Sequence, residues 1–452
     1  MHPSQRTLMA APIALLVALS SAACGTSGSQ EVAPQTTPPS PQSSPQPSPG
    51  GSAGPSAQPS PEPSQPPAPT PSTVAPPPEQ VSAADAVYDG APPELVAAGQ
   101  AGDVVYYLPE QFLLLDASAW LVLYRSTSAL GNRIAVSGTV IVPNAAWTGS
   151  GPRPILAFAH ETTGVTDDCA PSRTLVTATY SELSAVSLAL AKGWAVALTD
   201  YEGLGTPGHH TYSVNLAEAR AVLDAVRAAV RTPGVGLDSS APVAIWGYSQ
   251  GGGAAAAAAE AAPTYAPEFA WKGVAAGGTN ADLDAIGEAG EGTLYYGFVS
   301  AASLGLDTAY PELDLEAYLN DAGKAMLASA DTKSACMATL LTDYAFKRTS
   351  DYCTSNPRQS PAWQRRFEEN KLGLVRIEMP AFLYHGTYDD VIPRSVGAGL
   401  RDRWCALGAT VQWKEYPDLI LGHVSTKASG QPDALQWLAD RFDDKPAPSN
   451  CP

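Results

Sequence analysis

Residues 247–251 read Gly-Tyr-Ser-Gln-Gly, set between the apolar run 242–246 and the alanine-rich run 254–259. A serine hydroxyl is a weak nucleophile and must be held where a base can reach it. A sharp strand-to-helix turn does this by lifting Oγ clear of the sheet. Glycines two before and two after the serine remove side chains that would clash with the neighbouring strand and helix. The pattern makes Ser249 a candidate for attack on a carbonyl carbon. Bare matches to it arise by chance, so the partners decide.

In elbows of this kind the chain order is serine, acid, histidine. Of the six histidines only His385 and His423 follow Ser249. His385 falls within an apolar strand run and precedes the candidate acids. His423 lies between the last strand and the last helix, so it is the expected general base. Asp389 and Asp390, in "TYDDVIP", directly follow a strand. One of them is expected to accept from His423 Nδ1, the other to be a solvated turn residue. A developing oxyanion needs backbone N–H donors. The amide of Gln250 is one, and Thr162 or Thr163, just past the strand 154–160, is expected to supply the second. Asp200 and Glu202 precede the serine and read as loop structure. No CxxC or Cys/His spacing predicts a metal site, and the chemistry calls for no cofactor.

The elements that must position these residues follow from periodicity. "AWLVLYRST" and "RIAVSGTVIVP" predict an antiparallel hairpin across "SALGN". Strand runs at 154–160, 194–200, 242–248, 271–278, 380–386 and 410–416 then alternate with helical patterns. One of these is 215–231, with Leu216, Val222, Leu223, Val226 and Val230 on a single face. Apolar strands alternating with amphipathic helices predict an α/β fold, a mostly parallel sheet covered on both faces. The alternation breaks over 281–372, which reads as a helical cap inserted over the strand ends.

The bulk composition narrows the partners. A net charge of −18, with no basic stripe, excludes nucleic acid. Residues 1–24 carry Arg6, the apolar run "LMAAPIALLVALS" and "SAAC" before Gly25, a secretory signal segment too short to serve as a membrane span. The small residues before Cys24 resemble a bacterial lipobox, with Ser21 where an apolar residue is usual, so Cys24 is a candidate lipid attachment point and membrane anchor. Of the chain's 42 prolines, 18 fall between positions 31 and 80. Residues 25–80 therefore lack the apolar content to fold and read as a disordered tether, with the globular domain over 81–452. Six cysteines fit an exported chain. If Cys24 carries lipid, five remain, and one of them is a free thiol or pairs unexpectedly.

The pieces "HETTGVTDDCAPS", "TDYEGLGTPGHHTY", "LDAVRAA", "GYSQGG", "HGTYDDVIP" and "GHVS", in that order over roughly 105–440, resemble the secretory lipase family of α/β-hydrolases. That family contains yeast lipase A-like enzymes and many actinobacterial exported lipases. The resemblance implies an exported serine hydrolase of carboxylic esters, lipase-like, acting through an acyl-enzyme on lipophilic acyl esters. It puts the triad on Ser249, Asp389 and His423, preferring Asp389 over Asp390. It also implies a Cys405–Cys451 disulfide and matches Cys169 to the family's cysteine in "CAPS"; Cys336 and Cys353 are carried as a further expected pair. The aromatic run 292–300 suits an acyl chain. Two competing readings remain: an acyltransferase of the cell envelope using the same triad, and a tethered binding lipoprotein without activity. Relatives read His-Gly-Thr-Thr-Gly where this chain has Glu161. Its carboxylate either opposes the oxyanion or points away, paired for example with Arg173.

Overall fold

The computed structural model describes residues 75–112, 115–330 and 333–452. The expected leader 1–24, Cys24 and most of the expected tether lie outside the described residues. A ten-stranded sheet forms the centre of the fold. Its strands are β1 (Glu79–Gln80), β2 (Val104–Gln111), β3 (Ala117–Thr127), β4 (Arg133–Pro143), β5 (Ile155–Ala159), β6 (Ala195–Thr199), β7 (Pro242–Tyr248), β8 (Ala270–Gly277), β9 (Ala381–Gly386) and β10 (Val411–Tyr416). They lie in the order β1-β2-β3-β4-β6-β5-β7-β8-β9-β10. The pairs β2–β3, β3–β4 and β4–β6 are antiparallel, and the run from β6 to β10 is parallel.

The period-2 pattern of each parallel strand divides the core between two faces. On β7, Val243 and Ile245 pack on one side with the helices Asn215–Arg231 and Gln250–Tyr265. Ala244 and Trp246 face the other side, against the helices Leu183–Ala191 and Gly422–Phe442. Strands β5 and β9 alternate in the same way. Both faces are covered, which is why these strands read as unbroken apolar runs. On the helix Asn215–Arg231, Val222, Leu223 and Val226 are fully buried, while Leu216 and Val230 sit at the edge of the stripe. The strands β1 and β2 had no counterpart in the periodicity. Glu79–Gln80, inside the stretch read as a tether, pairs in parallel with Tyr106–Tyr107.

Between β8 and β9 the described residues form no sheet strand but a series of helices, among them Leu283–Ala289, Tyr296–Ala309, Asp321–Ser329, Met337–Asp343 and Pro361–Glu369. The apolar cap residues Leu306, Tyr310, Leu313, Leu319, Trp363 and Phe367 pack together with Ala129, Val214 and Ala217 of the main fold, so the cap is seated on the start of the helix Asn215–Arg231.

Among the described residues two disulfides form. Cys405–Cys451 is as expected, closing the C-terminal tail onto the helix Arg394–Ala406. The expected Cys336–Cys353 pair is corrected: Cys336 bonds to Cys169, and Cys353 is a free thiol. The cause is local pairing. Val165 N–H donates to Ala335 O and Met337 N–H to Thr163 O, so the cap segment 335–337 runs antiparallel to the loop 163–165. That brings Cys336 to a Cα separation of 5.3 Å from Cys169. Cys353 is drawn elsewhere by a bridge to Leu319. The disulfide thus joins the cap to the loop after β5 across 167 residues of chain. Cys336→Ser should lower unfolding free energy by about 2–4 kcal/mol, read by chemical denaturation, whereas Cys353→Ser should leave it within about 0.5 kcal/mol. Equal losses in the two variants would favour the pairing rejected here.

Candidate active site

Strand β7 ends in a turn at Ser249, whose backbone takes φ 58° and ψ −121° before the helix Gln250–Tyr265 begins. Such a conformation is costly for a residue with a side chain and persists only where its surroundings enforce it. Here they do. A Cβ on Gly247 would stand 2.0 Å from Gly251 O, and one on Gly251 would stand 2.0 Å from Ala159 O at the end of β5. The two glycines therefore let helix, elbow and β5 meet at backbone distance. The sequence marks this approach directly.

Ser249 Oγ lies 2.8 Å from His423 Nε2, and His423 Nδ1 lies 2.7 Å from Asp389 Oδ2. The other Asp389 oxygen accepts from the backbone N–H of Val391 and of Ile392, at 3.0 and 2.8 Å. Burial pushes the Asp389 pKa up, but the imidazole of His423, the nearby His385 and these N–H groups outweigh it. The net position is below the ordinary carboxylate range, so Asp389 stays ionised at neutral pH. His385, inside β9, is buried and held neutral by that burial, with Nε2 3.0 Å from Ile392 O. It supports the turn and does not reach Ser249. Asp390 is exposed in the turn, as expected, but it also has partners. It accepts from the backbone N–H of His423 at 3.0 Å and from the hydroxyl of Tyr295 in the cap.

The expected oxyanion residues occupy three different settings. Gln250 begins the elbow helix, and its side-chain amide is locked by Glu218 Oε1 at 2.7 Å and His210 Nε2 at 3.0 Å. Burial holds His210 neutral, with a pKa lowered to about 4, which suits Nε2 as an acceptor. Thr162 is buried, with Oγ1 2.7 Å from Tyr212 OH. Its peptide is oriented from the other side. His160 Nδ1 lies 2.6 Å from Glu161 O, and in a trans peptide the N–H of Thr162 points opposite to that carbonyl. Thr163 is tied to the cap through its carbonyl. The anchors at His160, His210 and Glu218 had no local signal, since each acts across more than thirty residues of chain or through a backbone atom.

Glu161 adopts an ordinary negative φ, so the loop accepts a residue other than glycine. Its carboxylate does not pair with Arg173, which stacks on the Tyr88 ring instead. It meets Lys427 Nζ at 2.6 Å and Ser181 Oγ at 2.9 Å. Lys427 belongs to the helix that carries His423. The Glu161 amide donates to Glu182 Oε2 at 2.8 Å. Glu182 is pushed up to about 8 by burial and by the neighbouring Glu161 charge. Asp200, as expected, is structural: it accepts from Ser137 Oγ, Ser172 N and Ser172 Oγ. Glu202 likewise stays in its own loop, accepting from Thr211 Oγ1.

A pocket opens beside Ser249, lined by Gln250, Asn280, Leu283, Ile286, Phe298, Val391 and others. A second lies among the cap helices, and the two share Val299, Ser303 and Arg358. Tyr296, Phe298 and Val299, from the aromatic run 292–300, line this space.

A profile of the secretory lipase family matches residues 170–450. Lipase 10 of Candida albicans is 30% identical over 400 residues, covering 80% of this chain and 81% of that protein. A Mycobacterium tuberculosis protein described as a probable inactive lipase is 32% identical over 348 residues, covering 73% and 74% respectively. Among solved structures, Candida antarctica lipase A in its closed state superposes with a TM-score of 0.72 at 22% identity, covering 80% of this chain and 88% of that one. The sheet and its helices share the α/β-hydrolase fold of that structure.

Because Lys427 already compensates Glu161, removing the carboxylate relieves no repulsion and loosens the loop. Glu161→Gly should lower kcat/KM on a short ester by about 10-fold, a loss of roughly 1.4 kcal/mol, and Glu161→Gln by less. A rise in kcat for Glu161→Gly would mean that its charge opposes the oxyanion.

Proposed function

The chain belongs to the secretory lipase family, and from that premise we propose that it hydrolyses carboxylic esters of lipophilic acyl groups through an acyl-enzyme on Ser249. The observation that carries this reading is the unbroken relay of 2.8 and 2.7 Å from Ser249 through His423 to Asp389. His423 Nε2 takes the serine proton as Oγ bonds to the carbonyl carbon, and Asp389 stabilises the imidazolium that forms. The carbonyl oxygen becomes an oxyanion met by the amides of Gln250, at a helix N-terminus, and Thr162. His423 then gives its proton to the leaving alkoxide. A water, deprotonated by the same nitrogen, releases the acid and restores Ser249.

The apolar space beside Ser249 supports an extended acyl chain as the group carried on the serine. Leu419, Ile420 and Leu421, exposed immediately before His423, also support a substrate presented in an apolar phase. The intact relay argues against this chain sharing the inactivity ascribed to the mycobacterial relative. The N-terminal sequence together with two disulfides supports an exported protein, held to a membrane through lipid on Cys24.

Ser249→Ala should reduce kcat by about 10⁶-fold while leaving the unfolding midpoint unchanged. On the wild type, kcat/KM across p-nitrophenyl esters should rise from acetate to long-chain acyl groups. Turnover that survives in Ser249→Ala, or a preference for acetate, would contradict the proposal.

A further inference from the structure

The helix Gly422–Phe442 carries the general base in its first turn, yet it begins without a cap of its own. Its N-cap residue is Leu421, in the left-handed region at φ 50°, with no side-chain oxygen to offer. First-turn N–H groups are unsatisfied within a helix and need an outside acceptor. Asp390 provides one: its Oδ1 stands 3.0 Å from His423 N, and its charge faces the positive end of the helix dipole. The acid turn therefore holds His423 twice, by the ring through Asp389 and by the backbone through Asp390.

The second oxygen of Asp390 accepts the Tyr295 hydroxyl. Tyr295 is the residue on which the cap helix Tyr296–Ala309 starts, and its ring stacks on Phe298 at 6.2 Å. Phe298 and Val391, the residue after Asp390, both line the cavity beside Ser249. One exposed carboxylate thus joins the helix that borders the cavity to the backbone of the catalytic histidine.

Resting on the reading of Ser249 and His423 as nucleophile and base, we propose that Asp390 is a positioning residue for His423 and that Tyr295 is the cap's hold on it. With the Tyr295 bond in place, the carboxylate cannot turn away from His423 N toward water. Without it, the carboxylate rotates and the imidazole loses its aim at Ser249 Oγ. Neither Tyr295 nor Asp390 lines the cavity beside Ser249, so the effect falls on kcat.

The test measures kcat and KM on p-nitrophenyl acetate, together with the rate at which a small fluorophosphonate labels Ser249. It uses the full chain and its Tyr295→Phe, Asp390→Asn, Asp390→Ala and double Tyr295→Phe/Asp390→Ala variants. Asp390→Ala should lower kcat and the labelling rate by about 10-fold with KM nearly unchanged, and Tyr295→Phe by about 3-fold. Asp390→Asn, which keeps an acceptor for His423 N, should recover most of the loss. Because Tyr295 acts through Asp390, the double variant should match Asp390→Ala alone. Wild-type kcat in Asp390→Ala, or losses that multiply in the double variant, would overturn the proposal while leaving the hydrolase reading intact. A wild type that neither turns over the ester nor reacts with the fluorophosphonate would remove both.

Discussion

Everything in the site hangs on one backbone conformation, the φ of 58° at Ser249. That geometry is unfavourable in isolation, and the fold holds it by bringing β5, β7 and the elbow helix to backbone contact across Gly247 and Gly251. Two consequences come from the same constraint. The serine Oγ stands free of the sheet, and the chain leaving β5 is pressed against the first turn of the helix. The loop after β5 is thereby brought beside the helix N-terminus, where two separate segments can offer N–H groups to one oxygen. The strain and the proposed oxyanion site are aspects of a single packing arrangement.

Around that fixed point, the remaining parts are held by polar contacts that cross between distant segments. The loop after β5 is anchored three ways: to the core through Glu182, to the histidine helix through the Glu161–Lys427 pair, and to the cap through the Cys169–Cys336 disulfide. The disulfide contributes about 2–4 kcal/mol and the partly exposed ion pair much less, but on the loop the three act alike. Their value lies in direction. They restrict the loop from three sides and leave few ways for its peptide planes to turn. Glu161 shows how a loop position expected to favour glycine can take a long charged residue: its carboxylate is compensated by Lys427, on the helix that carries His423.

Much of this was legible in the sequence because the signals were local. The elbow announces itself through glycines at fixed spacing, and the parallel strands through unbroken apolar runs. His423 and the acid turn follow from chain order. The parts that were not legible depend on register between segments far apart in sequence. Nothing near Cys336 tells which cysteine it meets; that is decided by the pairing of 335–337 with 163–165. Asp390 looked solvated because its partners are a backbone amide 33 residues on and a tyrosine 95 residues back. Strand β2 was missed because Pro109 and polar residues interrupt its pattern, which an edge-side antiparallel strand tolerates.

The central claim, that Ser249 is a nucleophile activated by His423, is tested most directly by mass spectrometry of peptides from the full chain after brief exposure to a fluorophosphonate. The account predicts a single adduct, on the peptide containing Ser249. It also predicts that His423→Ala slows adduct formation by about 10³-fold or more. An adduct on another residue, or equal labelling in His423→Ala, would contradict it.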